Sequence, residues 1–491
     1  MQGHAKRIQP QVPKTHKTPS PAVPLAHRQS PSLPRRRTRY WTLQSTRMTG
    51  SETLPRAMFF LRLGPMNIGS VLFTAFLIAP NAQEPTLPQT LIAGPLVGHV
   101  TPTSMSVWLK TDPGEVTLTV WSKKNPSARI STKATALPEH LGCITITLEG
   151  LQPDTTYRYA FDFQESSEGQ LARTAPLPTS TQPVRLAFVS CARQDKVTAG
   201  SFDAIAARDI DVLLCIGDTP YIDTTKLEVQ RQRYIDFNTF PPFAAIARRT
   251  PIISTWDDHD FGANDTNGQL KGKENSRQAF IEHRPNPSFG DNKTKGIYTS
   301  FRRGPVEVFV LDARWYAACE PSPADPSKPT LLGADQYSWL CKALKASSAP
   351  VKILVTGMVW NGSVRPGKSD HWGNYRHERD ALFRFIGDNK ISGVVLVGGD
   401  IHRSRVIRHQ TIPLAGYPLV EFISSPIHDH IIATANQPHP GLLKDLGTPQ
   451  TWLELVVTPG EEDLLTGTLR SATGGELFQL GLSAKELMKG K

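Results

Sequence analysis

An all-β sandwich followed by an α/β domain built on two sheets with flanking helices is the fold class that the sequence predicts, and three observations predict it. Short alternating runs such as SMSVWLK, EVTLTVWS and CITITLEG fill residues 90–163, broken by Pro, Gly and Asn. From Val184 onward, strand-like runs alternate with helix-length segments. Late strand-like runs beginning at Leu419, Thr451 and Leu465 call for a second sheet packed on the first.

The chain has 491 residues, enough for two or three domains, with an ordinary globular composition. Its formal charge of +11 is confined to one end. Met1–Ala82 carries twelve Lys and Arg against a single acid, Glu52, and the remaining body holds 43 residues of each sign. A neutral body gives no global charge for a nucleic-acid partner. Residues 1–57 are rich in Pro, Ser, Thr, Lys and Arg and read as a disordered leader or an over-extended start, with Met48, Met58 and Met66 as candidate initiators. Residues 58–82 read as a signal peptide, because the apolar stretch Ile68–Ala79 follows Arg56 and Arg62 and is short for a membrane span. Cleavage after Ala82 is expected, with an uncleaved anchor as the alternative. The expected location is periplasmic or secreted. Five cysteines make no disulfide framework, although Cys319 and Cys341 are candidates for a pair; Cys143 and Cys215 read as core.

The first domain is expected over residues 90–173. Its closing segment LQPDTTYRYAFDF, with Tyr157 and Tyr159, is similar to the tyrosine-corner segment of fibronectin type III sandwiches. A Thr- and Pro-rich linker, Thr174–Pro183, separates it from an α/β domain over 184–470, and 471–491 reads as a C-terminal tail with at most a short helix. Helices are predicted over Ser201–Arg208, Glu228–Phe237, Gln336–Ala346 and Glu378–Asn389.

Four polar motifs each follow an apolar, strand-like run: SCAR at Ser190–Arg193, GDTPYID at Gly217–Asp223, TWDDHDFGAND at Thr255–Asp265, and GGDIHRS at Gly398–Ser404. Carboxylates crowded this densely resist ionisation unless a cation or hydrogen-bond donors compensate them. Asp218 has the placement of a carboxylate bridging two ions. Tyr221, three residues on, offers a phenolate, which Fe(III) favours, and Cys191 offers a thiolate that Ca and Mg shun. Asp258, Asn264 and Asp400 are the oxygen donors for a second, hard ion, with Asp257 and Asp260 in reserve, and His402 completes the GDxH ending. His259, among acids, is suited to protonate a departing oxygen. Arg193 is a candidate for bidentate phosphate binding. The segment DHWGNYRHER, Asp370–Arg379, is a candidate rim or lid that brings Arg376 or Arg379 to the substrate. Each residue alone has a plain structural reading: cap, core thiol, surface ion pair or packing aromatic. Their joint placement after strands argues for a site.

Together these motifs, with GPLVGHVTPTSMSVWLKT, the VFVLDARW stretch carrying Asp312 and Arg314, and LLGADQYSWL, resemble the PhoD-type alkaline phosphatases, from about Leu91 to Leu469. The resemblance implies a fibronectin-like β-sandwich followed by a two-sheet, calcineurin-like metallophosphoesterase domain. It implies hydrolysis of phosphomonoesters and some phosphodiesters, with Fe3+ and Ca2+ in the site. By motif, the ligands it implies are Cys191, Asp218, Tyr221, Asp400 and His402, with Asn264 as the amide ligand. The expected function is an exported metal-dependent phosphatase that acts on small-molecule phosphoesters by metal-hydroxide attack. A phosphodiesterase, phospholipase D-like or phytase-like activity, and a non-catalytic cell-surface binding protein with a structural metal, are the alternatives.

Overall fold

The computed structural model of this chain describes residues 89–164, 169–291 and 295–488. The leader and signal segment expected over residues 1–82 lie outside the described residues. Among the described residues no helix is long and apolar enough to cross a membrane.

Of the first seven strands, Gly114–Ser122, Cys143–Glu149 and Thr156–Phe161 largely alternate buried and more exposed positions, as expected of sheets with one wet face, whereas Leu91–Val100 and Ser104–Thr111 are buried through their middle. The seven are β1 (Leu91–Val100), β2 (Ser104–Thr111), β3 (Gly114–Ser122), β4 (Asn125–Ala136), β5 (Cys143–Glu149), β6 (Thr156–Phe161) and β7 (Gln170–Arg173). They form antiparallel sheets of order β1-β2-β5 and β4-β3-β6-β7. Val97, Val107 and Ile146 of one sheet and Leu118, Val120 and Tyr159 of the other share a single buried core. The Tyr157 hydroxyl accepts from the Gln152 backbone N–H at 2.9 Å, the upstream tether of a tyrosine corner. This sandwich is bonded to the rest of the body. Trp108 Nε1 donates to the Glu282 carbonyl at 2.7 Å, and the Tyr159 hydroxyl donates to the Arg248 carbonyl at 2.6 Å.

Beyond the linker, β8 (Val184–Val189), β9 (Val212–Ile216) and β10 (Ile252–Thr255) are almost wholly buried apolar runs and pair in parallel. Between them lie α1 (Lys196–Ala206), capped by the Asp195 carboxylate, α2 (Leu227–Thr239) and α3 (Pro241–Ala247). Next come α4 (Asp258–Phe261), α5 (Lys273–His283), β11 (Thr299–Arg303), β12 (Val306–Val310), α6 (Gly333–Ala346), β13 (Val351–Val355), α7 (Arg376–Asp388), β14 (Val394–Gly398), β15 (Ser404–Arg408), β16 (Val420–Ile423) and β17 (Leu442–Leu446). The seven strands β11 to β17 form the second sheet, of order β11-β12-β13-β14-β16-β15-β17. The chain then returns to the first sheet with β18 (Trp452–Val457), β19 (Asp463–Arg470) and β20 (Glu476–Ser483), giving the order β10-β9-β8-β18-β19-β20. Leu186, Leu214 and Leu455 of the first sheet and Val308, Ile353 and Val397 of the second share the central core between the two layers.

The expected tail from Ser471 therefore contains the edge strand β20. Residues 471–475 turn, with the Gly475 carbonyl accepting from the Ser471 N–H at 2.9 Å, and Leu482 is buried against the sheet. Gln479 and Gly481 interrupt the apolar run in ELFQLGLS, which is why it lacks a strand signal.

Candidate active site

Parallel strands expose their C-terminal ends at one rim, and the loops that follow β8, β9, β10, β14 and β16 meet there. Cys191, Asp218, Asp400 and His402 take φ of 55°, 52°, 71° and 50°. Left-handed backbone at non-glycine residues costs on the order of 1 kcal/mol each and clusters at functional sites. Neighbouring glycines let the loops close on one another. A Cβ on Gly217, itself at φ 97°, would lie 2.4 Å from Asp257 Cβ, and one on Gly399 would lie 2.7 Å from Ser190 Oγ.

Cys191, Asp218 and His402 place one ligand atom each within 4.8 Å of the others, all buried. Cys191 Sγ lies 3.5 Å from Asp218 Oδ2. The Tyr221 hydroxyl lies 3.0 Å from His402 Nε2 and 3.1 Å from His428 Nε2. His428 Nδ1 accepts the His430 backbone N–H at 3.0 Å. Burial and Arg193 push His428 down to about 4, so its ring is neutral and carries its proton on Nε2, directed at the Tyr221 oxygen. A second group of carboxylates adjoins this one. Asp257, Asp258 and Asp400 form one triad with ligand atoms within 4.8 Å, and Asp258, Asp265 and Asp370 another.

The electrostatics call for a cation. Burial, then Asp258 and Asp257, push the Asp218 carboxyl far up; burial, resisted by Lys368, takes Asp400 to about 7. Burial and Asp218 likewise raise the Cys191 thiol, and burial with Cys191 and Asp218 raises the Tyr221 phenol. Burial, with His428 and His430 next, drives His402 down to about 2, and its Nδ1 is buried with no hydrogen-bond partner. A buried set of thiol, phenol, carboxylate and neutral imidazole suits a borderline or ferric ion, and the all-oxygen set beside it suits a hard one. The residues present fit a two-ion site.

Side-chain cations hold the acidic half together. Arg314, fully buried, pairs with Asp370 at 2.7 Å, and its Nε donates to Asp257 at 2.7 Å. Burial works against it, but Arg314, His259 and Lys368 keep the Asp258 carboxyl below its ordinary value. Asp257 and Asp260 serve structure first, as reciprocal capping-box partners at the start of α4, and the DDHD run is thus one helical turn. His259 lies on that turn, its Nδ1 2.5 Å from Asp223 Oδ1. The carboxylate can only accept, so Nδ1 carries a proton and Nε2 is the other nitrogen.

A cavity of about 50 Å³ lies at this rim, with Asp218, His259, Asn264, Asp400 and His402 on its wall. Arg365 and Lys368 supply its positive charge, and Ile432 and Ala435 an apolar edge. Arg193 is exposed, its guanidinium carbon 5.5 Å from the Tyr221 ring centre. The structure therefore brings together Cys191, Asp218, Tyr221, Asp258, His259, Asn264, Asp400 and His402, with Arg193 at the Tyr221 face.

Arg376 is not among them. It lines a separate groove with Asn361, Arg379 and His409 and pairs with Asp380 at 3.2 Å, its side chain 76% exposed. The phase of α7 is set by Glu378, which faces inward and accepts from the hydroxyls of Ser322 and Thr330 and the backbone of Leu332. Two residues earlier, Arg376 is turned to solvent. Arg379 likewise binds the Trp360 carbonyl at 2.9 Å, and Trp372 stacks on Trp360 at 4.4 Å as packing. Cys319 and Cys341 are both free thiols.

From sequence, Asp223, Asp265, Arg365 and Lys368 have no individual site role, and His428 and His430, in SSPIHDH, read as supporting or structural residues; His428 lies against Tyr221. His428 had a usable signal, since SSPIHDH follows the buried run of β16 as SCAR follows β8.

The family model described as PhoD-like phosphatase matches residues 186–450, more than half of the chain. The chain belongs to the PhoD-like phosphatase family. A second model, a domain of unknown function (DUF7800), matches residues 88–182, the sandwich region of this PhoD-like chain. Alkaline phosphatase D of Bacillus subtilis (strain 168) is 26% identical over 319 residues, 55% of this chain and 54% of that protein. The chain thus spans about half the length of the curated relative it matches. A solved structure of PhoD superposes with a TM-score of 0.66 at 19% identity, covering 84% of this chain and 94% of that one. Purple acid phosphatase from yellow lupin (Lupinus luteus) seeds superposes with a TM-score of 0.62 at 13% identity, covering 79% and 74%. Both likenesses are of fold, and they match the α/β architecture that the motifs imply.

Proposed function

We propose that this PhoD-like protein is a metal-dependent phosphoric ester hydrolase acting on small phosphoesters. The observation that carries the reading is the convergence of a thiol, a phenol, a carboxylate and imidazoles from loops 191, 218–221, 402 and 428 at one strand rim, beside an all-oxygen carboxylate group. In this reading Cys191, Asp218, Tyr221 and His402 would hold Fe3+, and Asp258, Asn264 and Asp400 would hold Ca2+. Such ions, when bound, lower the pKa of water and stabilise charge on phosphoryl oxygens.

The chain's own residues do the rest. Asp223 fixes the His259 ring, leaving Nε2 to pass a proton to the departing oxygen. Arg193 meets phosphoryl oxygens from the Tyr221 side, and Arg365 faces them from the cavity wall. A cavity of about 50 Å³ takes a phosphoryl group and leaves the ester's organic part outside, which supports broad use of monoesters. The apolar stretch Ile68–Ala79 supports export to the periplasm or medium, checked by cell fractionation.

The test is metal analysis with a visible spectrum, followed by hydrolysis of p-nitrophenyl phosphate and bis(p-nitrophenyl) phosphate by the parent chain and Asp218→Asn. Iron with calcium, a charge-transfer band and turnover abolished in Asp218→Asn are expected. A metal-free protein, or a parent that turns over neither ester, would refute the reading.

A further inference from the structure

Lys368 reaches into the acidic half of the site from the loop after β13, and its side chain is only 3% exposed. Its Nζ lies 2.8 Å from Asp370 Oδ1, 2.9 Å from Asp400 Oδ2 and 3.1 Å from Asp265 Oδ1. Asp265 Oδ1 accepts a hydrogen bond from the ammonium, and the contacts with Asp370 and Asp400 are ion pairs. These separations suit an ammonium among carboxylates; a calcium ion would need oxygens at about 2.3–2.6 Å, closer to a common centre. The loop is tied at its base, since Arg365 Nη2 pairs with Asp265 Oδ2 at 2.7 Å and the Arg365 carbonyl accepts the Lys368 N–H.

Formal charge supports the same conclusion. Asp257, Asp258, Asp265, Asp370 and Asp400 face Arg314, Arg365 and Lys368. Arg314 also pairs with Asp370 and Arg365 with Asp265, whereas the ion pair of Asp400 is with Lys368. Without the lysine the negative surplus would rise by one and Asp400 would lose its ion pair.

We propose that Lys368 is a built-in cation, its ammonium filling the position that a further divalent ion would take among Asp265, Asp370 and Asp400. The inference rests on the metal-holding reading above and adds to it a limit on ion number. Lys368→Met and Lys368→Gln should each bind one divalent ion more per chain than the parent, counted by elemental analysis and native mass spectrometry after equilibration with calcium. Lys368→Arg should keep the parent count. Equal counts in all four proteins would overturn the proposal. Should the neutral variants fail to fold, the parent decides: terbium located by anomalous scattering between Asp265 and Asp370, with the lysine displaced, overturns it, and terbium excluded from that position supports it. A parent without iron or calcium that hydrolyses neither ester refutes the phosphatase reading itself. A metal-loaded, active parent with unchanged counts in the variants removes only the role of Lys368.

Discussion

His428 directs its Nε2–H at the hydroxyl oxygen of Tyr221, 3.1 Å away, while its Nδ1 is occupied by the His430 backbone N–H. A donor aimed at a phenol oxygen favours the ionised form of that phenol and fixes its direction. His428→Ala should therefore weaken metal retention or kcat/KM by about 10- to 100-fold, the usual cost of losing such a support. His428→Gln, which restores an N–H donor, should recover part of the loss. The check is iron content with the position of the charge-transfer band; a band unmoved in His428→Ala would remove His428 from this role.

Asp223 predicts a different signature, because it touches His259 and not the carboxylate cluster. Asp223→Ala should lower kcat by about 10- to 100-fold and leave metal content intact. His259→Gln should lower kcat by roughly 10²–10⁴, the range of a lost general acid. An ester with a good leaving group should narrow both deficits, since it needs little protonation; equal deficits on poor and good leaving groups would argue against proton transfer.

The two arginines of the 365–376 region should separate cleanly. Arg376→Ala, on an exposed side chain with a surface i,i+4 partner worth about 0.3–0.5 kcal/mol, should leave kcat/KM within about twofold of the parent. Arg365→Ala should raise KM, because it removes a cation from the cavity wall. Steady-state kinetics on p-nitrophenyl phosphate decides, and an Arg376→Ala enzyme with a large KM defect would restore the lid expectation.

Acid should loosen the contact between sandwich and helix α5. Burial pushes His283 down to about 4 from its ordinary 6.5, where it sits between Trp108, 5.8 Å away centre to centre, and the Cys143 thiol. Its folded pKa is the lower one, so the unfolded chain binds the extra proton first. Stability is full above pH 6.5 and falls as the pH drops from 6.5 to about 4, by roughly 3 kcal/mol in all. Denaturation midpoints at pH 7 and pH 5 should differ more for the parent than for His283→Gln; an identical pH slope in both would remove His283 as the cause.

Residues announced by a buried strand were the legible ones. Cys191, Asp218 and Asp400 each stand within three residues of the end of a buried strand, so periodicity locates them and the rim follows. Lys368 and Arg365 sit in the polar segment GSVRPGKSD, where no period speaks, and only the crossing of that loop over Asp265 and Asp400 gives them a role. Asp223 was hidden for a related reason, as its partner His259 is 36 residues away. Arg376 misled because a basic aromatic segment looks like a rim, whereas the inward anchoring of Glu378 decides which face of α7 each residue takes. The strand β20 was obscured by Gln479 and Gly481, whose positions are supplied by pairing with β19 and not by propensity.

Cys191, Asp218, Asp400 and His402 all hold backbone angles that glycine would adopt without strain. Strain at these four positions is a cost that a bound ion can offset, because an ion that binds only the folded chain stabilises it. Heat tolerance of this chain should therefore depend on metal loading, and thermal melting with and without chelator reads that dependence directly.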